Sequence, residues 1–150
     1  ASDGELKAPA LIKRDAPPEG KRVISVRTAQ AVRKMLEMAV EPGGTAPKAQ
    51  VAGYRVAGKT GTAHKPDGRG YAAHRYVSSF VGFAPVSNPR LVIAVMIDEP
   101  SAGKYFGGDV AAPVFSQIMG GALRLLSVVP DAPNKPIIMP PEGEEVQESI

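Results

Sequence analysis

The decapeptide GYRVAGKTGT, residues 53–62, fits two incompatible backbones. As a pattern, Gly53, Gly58, Lys59 and Thr60 satisfy G-x-x-x-x-G-K-[ST], a phosphate-cradling loop in which Lys59 and Thr60 would open a helix. The segment IAVMIDE, Ile93 to Glu99, strengthens that option, because an apolar strand ending in two acids has the shape of the metal-holding element of nucleotide hydrolases. The other backbone is extended, with Lys59 on a β-segment. The residues that follow decide between them. Gly61, Pro66, Gly68 and Gly70 crowd the ten residues after Thr60, and such a stretch does not sustain a helix. YRVA, between Gly53 and Gly58, is bulky and β-prone.

The neighbouring segments agree with a strand. YVSSFVGFAP (Tyr76–Pro85) and LVIAVMI (Leu91–Ile97) read as strands joined by VSNPR, a tight antiparallel connection. A nucleotide fold needs parallel strands and long crossovers instead. LVIAVMI is apolar on both faces, which predicts a central strand in a covered sheet. KPDGRG (Lys65–Gly70) carries turn chemistry. Upstream, PALIKR (Pro9–Arg14) reads as a short strand. SVRTAQAVRKMLEMAVEPGG reads as a helix with Ser25 as N-cap, Ala29, Val32, Leu36 and Val40 at helical spacing, and Pro42, Gly43 and Gly44 as its stop. Downstream, VAAPVFSQIMGGALRLL is a second helix, capped by Asp109, with Pro113 near its first turn. Val114, Ile118, Ala122 and Leu125 are its expected buried stripe, and Gly120 and Gly121 predict close packing on the sheet. The fold class is therefore α+β, with helices packed on an antiparallel sheet.

The 150 residues suit one domain, expected over residues 1–127, followed by a Pro-rich acidic tail over 128–150 that is expected to be disordered. The chain opens at Ala1 without an initiator methionine and reads as a piece of a longer protein. LVIAVMI is too short to span a bilayer, and no export signal opens the chain, so any anchor would belong to another part of the protein. There is no cysteine. The net charge of +3 hides an asymmetry: from Val128 onward the balance is −4, leaving +7 on the body. Arg55, Lys59, Lys65, Arg69 and Arg75 lie close in sequence, with Asp67 the one acid among them. Such a patch suits an anionic ligand. No nucleic-acid motif accompanies it, which argues against nucleic acid.

On a strand at a sheet edge, Gly58 and Gly61 would let a peptide backbone approach, and that peptide could add to the edge through main-chain hydrogen bonds. Lys59 would supply a fixed positive charge, Thr60 and Thr62 hydroxyls for a terminal carboxylate, and the Thr62 N–H a donor to an oxyanion.

VISVRTAQAVRKMLEMAV, YRVAGKTGTAHK, SSFVGFAPVSNPR, IDEPSAGKYFGGDVAAPVF and IMGGALRLL occur in this order, and the series resembles the class B penicillin-binding proteins, specifically the division-type (septal) transpeptidase of Gram-negative bacteria. The resemblance spans roughly residues 5–127. It implies a five-stranded antiparallel sheet in a serine β-lactamase-like domain, of which this is the C-terminal part. It further implies a D,D-transpeptidase that forms an acyl-enzyme with the D-Ala-D-Ala end of a peptidoglycan stem peptide and is trapped by β-lactams. The setting it implies is the periplasmic face of the inner membrane, with divisome membrane proteins as partners of the whole protein and no cofactor. Lys59, Thr60, Gly61 and Thr62 take the K-T-G-T roles, with Lys59 and Thr62 in the catalytic machinery. Tyr105 and Phe106 match an aromatic loop at the mouth of the site.

Two departures stand out. The family's nucleophile sits in S-x-x-K on a helix, where the spacing puts both side chains on one face. Here the match is SAGK, Ser101–Lys104, after K-T-G-T and in a glycine-rich loop, so it reads as coincidence; the S-x-N element is absent. This chain is therefore expected to be inactive alone, with a nucleotide hydrolase built on GYRVAGKT and IAVMIDE as the alternative function. His64 stands where relatives of the family often carry Arg or Lys. His64 and His74 have no Cys or carboxylate companions in their loop setting and read as exposed histidines, with no metal.

Overall fold

A computed structural model describes residues 2–12, 14–16, 18–68, 70–139 and 141. Strands β1 (Glu5–Leu6) and β2 (Lys21–Arg22) form a short antiparallel ribbon. Helix α1 (Val26–Met38) follows, then a 3-10 turn (Pro47–Ala49), strands β3 (Ala57–Asp67), β4 (Gly70–Ala84) and β5 (Leu91–Asp98), and helix α2 (Gly107–Leu125). β3, β4 and β5 make one sheet in that order, antiparallel throughout. Among the described residues, no helix is long and apolar enough to cross a membrane.

The sheet grows from local chemistry. Gly68, at φ +57°, begins the reversal between β3 and β4. Strand pairing continues much further out than the expected turn: Lys65, Pro66 and Asp67 all belong to β3, and the register slips between His64 and Pro66. Proline has no N–H to give the ladder, so an irregularity there is the natural accommodation.

Register assigns the faces. Thr60, Phe80 and Val95 are cross-strand neighbours on one face; Lys59, Val81 and Ala94 share the other. α2 covers the first face with Phe115, Met119 and Leu123, all fully buried in one cluster with Phe80. α1 touches the second face at one end, where Leu36 packs on Ala57, Phe83 and Val86. The helices thus lie on opposite faces.

Several sequence expectations shift. Ser25 does cap α1, its hydroxyl accepting from the Thr28 N–H at 3.0 Å. Of the apolar row on α1, Val40 is buried and Leu36 half-buried, while Val32 is exposed. The row buried on α2 is Ala111, Ala112, Phe115, Met119 and Leu123, one position away from the expected stripe; Val114, Ile118 and Leu125 face outward. Phe115 decides this, because its ring fits edge-on against Phe80. α2 starts three residues before Val110, so Phe106 is the N-cap, Asp109 lies inside the first turn, and Pro113 falls in the helix interior. Gly120 does sit in a tight spot, against Val51 rather than the sheet; at Gly121 a side chain would meet open space. β5 is an edge strand among the described residues: Val95 is buried under α2, whereas Val92 and Met96 on the other face are exposed. The expected strand at Pro9–Arg14 does not form among its described residues, 9–12 and 14; Leu11 and Ile12 are bends on the surface.

The start of the expected tail is also ordered against the body. The Tyr54 hydroxyl donates to the Val128 carbonyl at 2.6 Å. The Asp131 carboxylate accepts from the Arg55 and Ser87 amides at 2.8 and 3.1 Å. The Gln50 side-chain amide exchanges two hydrogen bonds with the Ile138 backbone. A proline-rich segment needs few backbone partners, and these few are supplied by side chains. Residues 140 and 142–150 of that tail lie outside the described residues.

Replacing Phe115 by Ala should lower unfolding free energy by about 3–5 kcal/mol, whereas Val114→Ala should cost less than about 1 kcal/mol. Chemical denaturation of both variants checks which stripe faces the core.

Candidate functional site

β3 has β4 on one side and no strand on the other, so its outer edge is open among the described residues. Lys59 projects from the face opposite α2 and curls round this edge. Its Nζ donates to the Thr60 carbonyl at 3.1 Å and to Thr60 Oγ1 at 2.9 Å. Thr60 is buried, and its hydroxyl donates to Thr45 Oγ1 at 3.3 Å. Thr62 Oγ1 accepts from the Gly107 N–H at 3.0 Å, which ties the first residue of α2 to β3. Gly107 must be glycine here, because a Cβ would collide with the Ser79 carbonyl and lie 3.0 Å from that of Gly61.

The glycines of K-T-G-T and its flank answer to internal packing. At Gly58 a Cβ would press into the Phe80 ring and sit 2.7 Å from the Val81 carbonyl; at Gly61 it would lie 2.7 Å from Ser79 Oγ. The room they provide is taken up by β4 residues.

An aromatic series runs alongside. Tyr105 stacks on Tyr76 (centroids 4.1 Å, 9°) and touches Phe106 at 4.5 Å; Tyr76 also meets His64 at 4.5 Å. Ser78 Oγ donates to the Tyr105 carbonyl, fixing the loop beneath its ring. His64 is therefore packed among rings, paired with Tyr76 across β3 and β4, while His74 is exposed at φ +61°. Thr45 and Tyr76 carry no motif signal, and Ser78 and Gly107 lie in the motif series without a role assigned from it; the β3–β4 register makes Tyr76 the partner of His64, and a sequence alone does not give that register.

The expected basic patch is mostly internally neutralised. Arg55 makes a two-pronged pair with Glu37 at 2.6 and 2.7 Å, which raises its pKa. Lys65 binds Asp98 and Glu99, and Arg75 binds Glu99. Arg69 is outside the described residues. Among the described residues no carboxylate pairs with Lys59. The Arg75 guanidinium first, and the Lys65 ammonium second, hold the Glu99 carboxyl down at about 2.

These contacts dispose of the phosphate loop. Thr60 onward is strand rather than helix, β5 runs antiparallel to β4, and Asp98 and Glu99 are engaged by Lys65 and Arg75. SAGK is a loop: Gly103 has φ +83°, Ser101 is exposed, and the Lys104 ammonium lies 3.7 Å from Asp109.

Residues 1–120 match the family described as penicillin binding protein transpeptidase domain. The chain is 46% identical over 131 residues to a probable peptidoglycan D,D-transpeptidase PenA of Neisseria flavescens, covering 87% of this chain and 33% of that one. It is 45% identical over 133 residues to the peptidoglycan D,D-transpeptidase FtsI of Escherichia coli K12, covering 87% of this chain and 22% of that one. The transpeptidase domain of Burkholderia pseudomallei penicillin-binding protein 3 superposes with a TM-score of 0.79 at 54% identity, covering 86% of this chain and 40% of that one. The chain thus spans a third or less of the length of these two curated relatives.

The depressed Glu99 carboxyl has a consequence for acid stability. Its folded-state value, about 2, lies below the ordinary 4.5, so its contribution is complete above pH 4.5 and lost as pH falls towards 2. Glu99→Gln should be less stable than the parent at pH 6, and the gap should close between pH 4.5 and 2. Because the group is exposed, added salt should shrink the gap as well. Melting curves across that range check both.

Proposed function

The chain belongs to the penicillin-binding protein transpeptidase family, and on that premise we propose that it forms the substrate-binding wall of a peptidoglycan D,D-transpeptidase of the division (septal) type. The observation that carries the proposal is Lys59: a cation with no carboxylate partner among the described residues, on a strand whose outer edge is open. The D-Ala-D-Ala end of a stem peptide is extended and ends in a carboxylate. It would lie along β3 through main-chain hydrogen bonds, its carboxylate near Lys59 and Thr62, while the Thr60 hydroxyl, expected to share that task, is buried and given to Thr45. Gly61 would keep the strand flat there. As the acyl carbon becomes tetrahedral, the Thr62 N–H would donate to the oxyanion; one such donor is commonly worth about 3 kcal/mol. Tyr105 and Phe106 would line the mouth.

The reaction has two transfers. A serine oxygen attacks the penultimate D-Ala carbonyl, and the terminal D-Ala leaves as its amine takes up a proton. The amine of a neighbouring stem peptide then attacks the acyl-serine and releases it. β-Lactams enter the first step and stall before the second. Neither S-x-x-K on a helix nor S-x-N occurs within these 150 residues. The nucleophile and its base therefore come from elsewhere in the protein, as does any contact with divisome membrane proteins at the periplasmic face of the inner membrane.

The test uses the complete protein. Lys59→Ala should slow acylation by a labelled penicillin at least about a hundredfold. Ser101→Ala should leave it within about twofold. This 150-residue chain by itself should gain no penicillin mass, and Mg-ATP should not raise its melting midpoint. A stoichiometric adduct on Ser101, or equal loss in the two variants, would place the site elsewhere.

A further inference from the structure

Asp109 is a nearly enclosed carboxylate, its side chain 6% exposed, in a helix whose other buried residues are apolar or glycine. It sits in the first turn of α2, where the helix field favours an anion. Two cations from different segments converge on it. Lys48, on the 3-10 turn, donates to Oδ1, and the Lys104 ammonium lies 3.7 Å away. Each segment leads to the candidate site. Three residues before Lys48 is Thr45, whose hydroxyl meets Thr60. Immediately after Lys104 come Tyr105 and Phe106, then Gly107, whose N–H holds Thr62.

We propose that Asp109 is a positioning residue: through Lys104 it holds the Tyr105–Phe106 loop down on β4, and through Lys48 it fixes α2 against the 3-10 turn that closely follows Thr45. The proposal rests on the transpeptidase reading, because what it sets is how closely the aromatic mouth closes on the side chain of an acyl donor. The two arms differ in physical weight. The Lys48 arm is shielded, its lysine 28% exposed, and serves the body of the fold. The Lys104 arm is half in solvent, its lysine 56% exposed, and acts on the loop alone, together with the Tyr76 stack and the Ser78 hydrogen bond. A purely structural carboxylate would make loss of the Lys104 arm silent at the mouth.

The test compares Asp109→Asn and Lys104→Met in the complete protein by two readouts. Amide exchange over residues 101–106 should quicken about tenfold in Asp109→Asn and about threefold in Lys104→Met, with exchange over 115–123 unchanged in Lys104→Met. The dissociation constant of the non-covalent complex with an aryl-side-chain penicillin should rise by the same factors, with the limiting acylation rate within about twofold. 6-Aminopenicillanic acid, which lacks that side chain, should bind both as it binds the parent. Unchanged loop exchange and unchanged penicillin binding in Lys104→Met would overturn the proposal, as would equal weakening of the two penicillins. Lys104→Met retains the Asp109–Lys48 pair, so it decides the matter even if Asp109→Asn does not fold. If the parent protein takes up no penicillin, the transpeptidase reading itself fails, and the exchange data still decide whether Asp109 tethers the loop.

Discussion

Phe80 and Phe115 meet with ring centroids 4.7 Å apart at 66°, both wholly out of solvent, and the placement of α2 along the sheet follows from that contact. Edge-on packing tolerates little sliding in a close-packed core. With Phe115 fixed, the start of α2 falls on Gly61 and Ser79, where only glycine fits at position 107. The Gly107 N–H then reaches Thr62, and the loop feeding into the helix brings Tyr105 onto Tyr76. Gly58 belongs to the same arrangement, since the Phe80 ring fills the space its side chain would need. The geometry beside Lys59 is thus set by a contact in the core.

Charge is organised around the same strand. Most of the cations close to K-T-G-T in sequence fold onto acids: Arg55 onto Glu37, Lys65 onto Asp98 and Glu99, Arg75 onto Glu99. These pairs give the two acids that end an apolar strand cationic partners within the fold. They also concentrate the field at the open edge on one ammonium.

How much of this was legible beforehand depends on the range of the interaction. The strand character of Lys59–Thr62, the antiparallel order of the sheet and the Ser25 cap rest on local chemistry, and the structure shows all three. The buried face of α2 did not follow from periodicity, because Val114 and Ile118 are as apolar as their neighbours; Phe115 wins only through Phe80, thirty-five residues upstream. The central position expected of β5 came from its apolar content on both sides, whereas here one side meets α2 and Val92 and Met96 remain exposed. Thr45 and Tyr76 reach the candidate site through tertiary contacts that no spacing announces.

The segment after Val128 has a practical meaning for anyone trimming the protein. Cutting at residue 127, where the motif series runs out, would retain each K-T-G-T residue yet delete the acceptor of the Tyr54 phenol, which is 7% exposed. It would also remove the carboxylate that bridges the amides of Arg55 and Ser87, one just before β3 and the other in the β4–β5 connection. A shortened version would thus loosen the approach to the Lys59 strand from behind, at a site that carries no catalytic signature at all.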